Sequence, residues 1–273
     1  MELDETMAYA REMRKKILDV SYSCGKSVHI GGALSMVDIL ATLYSAVLRL
    51  DSENPKWAER DRFILSKGHG ALAYYSALLL RGYISEDVFA SFQSNGSDLT
   101  THPVLNMPMG IESSNGSLGQ GLSMAVGIAI SGKARSQDYK VYVMLGDGEC
   151  NEGSVWEAAM SAANFELDNL IAIVDKNNFQ NDGSVATVME PGDFLKKWDS
   201  FGWNAISVDG HDVAAVHCAL TSKNIIAKPK VVIANTVKGK GCWFMENKAE
   251  WHHNRLTKSQ YEMALEQLNS VHA

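Results

Sequence analysis

The residues of this chain best suited to chemistry close two apolar, strand-like runs. Val141 to Leu145 leads into Gly146-Asp147-Gly148. A helix-patterned stretch follows from Val155 to Phe165, and Leu170 to Val174 then ends in Asp175-Lys176-Asn177-Asn178. That order reads as a βαβ unit with two parallel strands. Open α/β sheets bind ligands outside the carboxyl ends of their strands, so the pattern predicts Asp147 and Asn177 side by side on that edge. An Asp between turn glycines repels a diphosphate unless a divalent cation sits between them. The Asp147 carboxylate, the Asn177 amide oxygen and a nearby backbone carbonyl are hard oxygen donors suited to Mg²⁺ or Ca²⁺, with phosphate oxygens and water completing the shell. The competing reading, a dinucleotide-binding turn, needs G-x-G-x-x-G. Here position 151 is Asn and the next glycine is Gly153.

GDG, about thirty further residues and then NN closely resembles the thiamine-diphosphate-binding signature. Ser66-Lys67-Gly68-His69-Gly70 and Ser117-Leu118-Gly119-Gln120-Gly121 narrow the resemblance to the transketolase type and its N-terminal, diphosphate-binding half, over nearly the whole chain. The resemblance implies an α/β fold, a mostly parallel sheet with helices on both faces. It implies that Asp147, Asn177 and the Phe179 carbonyl hold the metal. It sets His69 against the diphosphate and Leu118 and Gly119 against the cofactor rings, with Ser117 where the family has Pro. Gly146, Gly148, Glu152 and His252 complete the expected cofactor contacts. His29, in VHIGGALSM, resembles the family's GHPG loop with Ile30 for Pro, and His102, in THPV, resembles GHPE. Both are expected near the substrate's hydroxyls and reacting carbonyl. With His69 and His252 they form the expected proton-transfer set. His252 and His253 compete for the family's last histidine, and His252 is taken. Glu152 and Glu157 have two readings: compensation of the helix dipole, or a proton-carrying link between paired active sites.

The function so implied is transfer of a two-carbon ketol unit from a ketose phosphate to an aldose. In the family a Glu that activates the aminopyrimidine belongs to a separate pyrimidine-binding domain. After the Val231 strand only a loop and a helix remain, from about 238, so a C-terminal transketolase subunit is expected as partner, two copies of each chain assembling together (α2β2). The rivals are half of a deoxyxylulose-phosphate synthase, a 2-oxo-acid dehydrogenase α subunit, or a non-catalytic dinucleotide-binding module. The SKGH and LGQG contexts favour transketolase.

Composition agrees with a single large domain over 1–273. A net charge of −7 argues against nucleic-acid binding. The amphipathic N-terminal helix, with Leu3, Met7, Ala10, Ile17 and Val20 on one face, has no apolar signal core. The small-apolar run from Gly121 to Ile130 is too short to span a bilayer. Cys24, Cys150, Cys218 and Cys242 have no zinc spacing, and scattered cysteines point to a reducing cytoplasm. Cys150 reads as an inert small side chain. Cys24-Gly25-Lys26-Ser27 lacks the upstream glycine of a P-loop, since Val20 stands there.

The elements expected to position these residues run as follows. A loop at Gly31 and Gly32 precedes a helix over 35–48. A strand at 62–65 leads through the His69 turn into a helix ending at Leu80. Residues 85–116 are irregular. A helix over 117–133 carries a stripe of Gly119, Ser123, Gly127 and Ser131, read as a place of close approach. Residues 181–193 form a loop, followed by a helix over 194–200 and strands over 205–208 and 231–235. His211 lies at a helix entry, His217 is structural and His272 falls in the tail. Thr257 and Gln260 form a capping box for the last helix.

Overall fold

The computed structural model describes residues 3–270. Helix α1 (Leu3–Ser23) buries Ala10, Met13, Ile17, Leu18 and Val20. Leu3 and Met7 stay exposed, so the inward stripe begins later than its periodicity predicts. Gly31 and Gly32 belong to a helix, α2 (Ile30–Leu34), and not to a loop. A Cβ on Gly31 would lie 2.6 Å from the Trp251 carbonyl oxygen. Glycine is there for close packing, which a sequence cannot distinguish from a turn. A break at Ser35 and Met36 separates α2 from α3 (Val37–Thr42), which ends in a π-helical turn over Leu43–Val47.

Strand β1 (Arg62–Leu65) feeds a 3₁₀ turn and α4 (Ala71–Leu80). The region expected to be irregular contains α5 (Glu86–Ala90), capped by the Ser85 hydroxyl and anchored by buried Phe89. Helix α6 (Gly121–Ala134) starts after the glycine turn and not within it. Then come β2 (Val141–Gly146), α7 (Gly153–Asn164) and β3 (Leu170–Lys176). The expected loop at 181–193 holds the end of a small hairpin, β4 (Phe179–Gln180) with β5 (Gly183–Ser184), and a turn of helix, α8 (Val185–Val188). Helix α9 (Phe194–Ser200), β6 (Asn204–Asp209), α10 (Val213–Thr221), β7 (Lys230–Asn235) and α11 (Lys258–Ser270) complete the chain. The Thr257–Gln260 capping box forms at the start of α11.

The main sheet has five strands in the order β1-β2-β3-β7-β6, all parallel. Side chains alternate across it. Tyr142, Met144, Ile171 and Ile173 join the core shared with α1, α3 and α4, whereas Val141, Val143, Leu145 and Val174 join the core shared with α6, α7 and α9. Burial of both faces is why the central strands are continuous apolar runs. Gly146 pairs with Asp175, and Asp175 with Ala234, so the carboxyl ends of β2, β3 and β7 are level. Among the described residues no helix is long and apolar enough to cross a membrane.

Candidate active site

The carboxyl edge of the sheet opens into a cavity of about 330 Å³ whose lining includes His69, Asp147, Asn177, Phe179, Lys238 and His252. The Asp147 carboxylate accepts the backbone N–H groups of Gly148 and Asn178. Asn178 makes the second bond possible by adopting a left-handed backbone, φ 65°. Asn tolerates that region better than most residues. Burial, and then the nearby Asp175 charge, push the Asp147 carboxyl up to about 6. A buried carboxylate penalised in this way gains from a cation.

Asn177 is held from beneath. Its amide nitrogen donates to Asp175 Oδ2 at 3.2 Å, and its Oδ1 accepts the Phe179 N–H at 3.0 Å. The amide is thereby oriented nitrogen-down, leaving the oxygen as the outward group. Asp175 is fully buried and also receives bonds from Ser35, Thr236 and the Lys67 ammonium. Burial would raise its pKa, but Lys67 and the hydroxyls outweigh it, so the carboxyl is held low and charged. Lys67 also donates to the Gly32 carbonyl at 3.1 Å. One ion pair therefore ties the ends of β1 and β3 to α2.

A second carboxylate, Glu149, is buried on the other side of the turn. It accepts the Ser66 hydroxyl, the Gly119 N–H at 2.9 Å and the Gly146 N–H at 3.0 Å. Ser66 in turn accepts the Gly121 N–H. The segment bearing Leu118 and Gly119 is thus stapled to the end of β2. A Cβ on Gly119 would strike Ser154 and Glu152 at 2.6 and 2.7 Å, and one on Gly121 would strike Ser66 at 2.5 Å. Gly127 meets nothing within 4 Å, so close approach explains only the first part of the small-residue stripe.

The histidines converge. The His29 ring centroid lies 5.6 Å from His69, 5.8 Å from His102, 5.4 Å from His252 and 4.5 Å from His253. His69 and His252 are 5.2 Å apart. Burial lowers four of them: His29 to about 4, His252 to about 3, His69 well below the ordinary value and His102 in the same direction. Neighbouring Lys238 and other rings add to the effect on His29, His69 and His252. These are neutral imidazoles near pH 7, each with one donor and one acceptor nitrogen. His252 faces the cavity, and exposed His253 packs on His29.

The family model described as "Transketolase, thiamine diphosphate binding domain" matches residues 8–269. The chain belongs to the transketolase family. It is 42% identical over 268 residues to an apulose-4-phosphate transketolase subunit from Actinobacillus succinogenes, covering 98% of this chain and 97% of that protein. It is 40% identical over 241 residues to a 6-deoxy-6-sulfo-D-fructose transketolase subunit from a Clostridium species, covering 88% of each. Among solved structures, transketolase from Campylobacter jejuni superposes with a TM-score of 0.92 at 31% identity, covering 98% of this chain and 43% of that one. The chain spans about two fifths of the length of the solved transketolases it matches.

For a transketolase thiamine-diphosphate-binding domain, most residues singled out in the sequence come together. His69, Leu118, Gly146, Asp147, Gly148, Glu152, Asn177, Phe179 and His252 line one cavity. His29 and His102 join through the ring cluster. Ser117 is exposed and outside the lining, and Glu157 lies on the exposed face of α7. Cys150 is buried, which pushes its thiol up and keeps it unreactive. Sequence reasoning missed Lys67, Glu149, Asp175 and Lys238. Lys238 sits in Lys-Gly-Lys-Gly, a composition that reads as a solvated loop, yet it is 1% exposed.

Proposed function

We propose that this chain forms the diphosphate- and metal-binding half of a transketolase that moves a two-carbon ketol unit from a ketose phosphate to an aldose acceptor. The observation that carries this reading is the polarity of the cavity. Its lining combines a buried ammonium, Lys238, which has no carboxylate within ion-pair distance among the described residues, with the oxygen donors of Asp147, Asn177 and Phe179. Burial, and then Lys67, depress the Lys238 ammonium to about 8. Asp175 and Asp147 offset this only from beyond ion-pair distance; a buried cation without a paired carboxylate is costly, and an anion bound in the cavity relieves it. Among the described residues no cluster of three His, Cys, Asp or Glu forms a closed metal site. The Asp147 carboxylate, the Asn177 amide oxygen and the Phe179 carbonyl instead suit Mg²⁺, or Ca²⁺, with phosphate and water filling the remaining positions.

In this reading Lys238 and His69 donate to the diphosphate, and Leu118 and Gly119 border the rings. Thiamine diphosphate, when bound, supplies a carbanion at its thiazolium C2 and an electron sink for C–C cleavage. His29, His102 and His252, all neutral, serve the substrate's hydroxyls and carbonyl oxygen as hydrogen-bond partners and proton carriers. A C-terminal transketolase subunit supplies the pyrimidine-binding domain, and two copies of each chain assemble. The relatives' names, for a sugar phosphate and a sugar sulfonate, support an anionic sugar as substrate. Calorimetry with thiamine diphosphate and Mg²⁺ tests the reading: saturable, Mg²⁺-dependent binding is expected, and its absence with the partner chain present overturns it.

A further inference from the structure

Lys238 and His252 make a contact that fixes more than position. The Lys238 Nζ lies 3.1 Å from the Nδ1 of His252. An ammonium carries donors only, and a neutral imidazole has one proton on one of its two nitrogens. Nδ1 must therefore accept, and the ring's proton must sit on Nε2. The backbone that carries this lysine is held in place by its loop. Thr236 bonds Asp175, the Val237 N–H donates to His211 Nε2 at 2.8 Å, and the Gly239 N–H donates to the Gly31 carbonyl at 3.0 Å. The Lys238 carbonyl accepts the Asn247 N–H at 3.0 Å. His211 is anchored in turn by Asp38 through its Nδ1. With its backbone gripped on both sides and its side chain only 1% exposed, this lysine has little freedom to leave its acceptor.

We propose that Lys238 locks His252 as its Nε2–H tautomer and makes this histidine a dedicated hydrogen-bond donor at the histidine cluster. Lys238 is thus a positioning residue for His252, besides facing the cavity. The role in the reaction rests on the transketolase reading above, whereas the tautomer rests on the hydrogen bond alone. The consequence is a division of labour. His252 offers an N–H to a substrate oxygen and cannot accept a proton there without becoming a half-buried cation beside the Lys238 ammonium. His29, whose Nδ1 is buried with no partner, carries no such constraint and is the ring free to take a proton or give one.

The test is the histidine side-chain ¹⁵N spectrum of the full chain near pH 7, with His252 assigned by its loss in His252→Asn. Wild type is expected to show a proton-free, hydrogen-bonded Nδ1 and a protonated Nε2. Lys238→Met should move the Nδ1 resonance and raise the pH at which His252 titrates, while Lys238→Arg, which keeps a cationic donor, should restore both. A protonated Nδ1 in wild type, or His252 signals unchanged in a folded Lys238→Met chain, overturns the proposal. Should Lys238→Met not fold, the wild-type spectrum with Lys238→Arg decides alone. No cofactor is needed, so failure to bind thiamine diphosphate would sink the functional reading and leave this result standing.

Discussion

Asp147 holds no packing role that an alanine would forfeit: its carboxylate bonds only neighbouring backbone N–H groups and is penalised by burial. Asp147→Ala should therefore abolish Mg²⁺-dependent cofactor binding in calorimetry while the melting temperature stays within a few degrees of wild type. His69→Ala should weaken cofactor affinity by about 1.5–3 kcal/mol, the range for a hydrogen bond to a charged group. A fall in melting temperature with the dissociation constant unchanged would instead make His69 structural. What was legible at this scale were residues whose type is costly without a reason, such as an Asp between glycines or a His at a strand end. Asp175 and Glu149 were hidden because their work is done inside the protein, bonding backbone groups and Lys67, and nothing in their sequence spacing announces burial. Lys238 was hidden because a lysine's default is solvent.

At the scale of elements, the parallel strands could be read because both faces are buried and their runs are unbroken. Helix α2 could not, since paired glycines signal a turn unless one knows that the Trp251 backbone lies against Gly31 and the His69 ring against Gly32. Helix α6 offers a contrast within one element. A Cβ at Gly121 would sit 2.5 Å from the Ser66 side chain, and overpacking of that kind costs about 1–3 kcal/mol. Gly127 faces open space and is helical, so alanine there should stabilise the chain by up to about 1 kcal/mol. Thermal melts of Gly121→Ala and Gly127→Ala should move in opposite directions. Equal shifts would mean that α6 does not pack on the end of β1.

Across the whole molecule, Asp38 ties α3 to α1 through Arg14 and to the turn before α10 through His211. Burial acts to raise its pKa, but Arg14 first and then His211 prevail, lowering it from 3.8 to about 2. The folded value is depressed, so the stabilisation is complete above about pH 4 and is lost as the pH falls through about 2. A shift of that size is worth about 2 kcal/mol. In denaturant titrations the advantage of wild type over Asp38→Asn should shrink by that amount between pH 4 and 2 and be level above it. At the same scale, ketol transfer by the purified chain should be absent without its partner and appear when the partner is added. Full turnover by the chain alone would refute the split arrangement. The level strand ends have one more consequence. The cavity draws on the ends of β1, β2, β3 and β7 and on His252, residues spread from 67 to 252 and brought together only when β7 inserts between β3 and β6. During synthesis, β6 precedes its sheet neighbour β7 and has no edge to join until β7 emerges. Cofactor capture thus becomes a late event in biogenesis. A nascent chain arrested before Lys230 should retain no thiamine diphosphate, so bound cofactor would mark a chain made at least as far as His252.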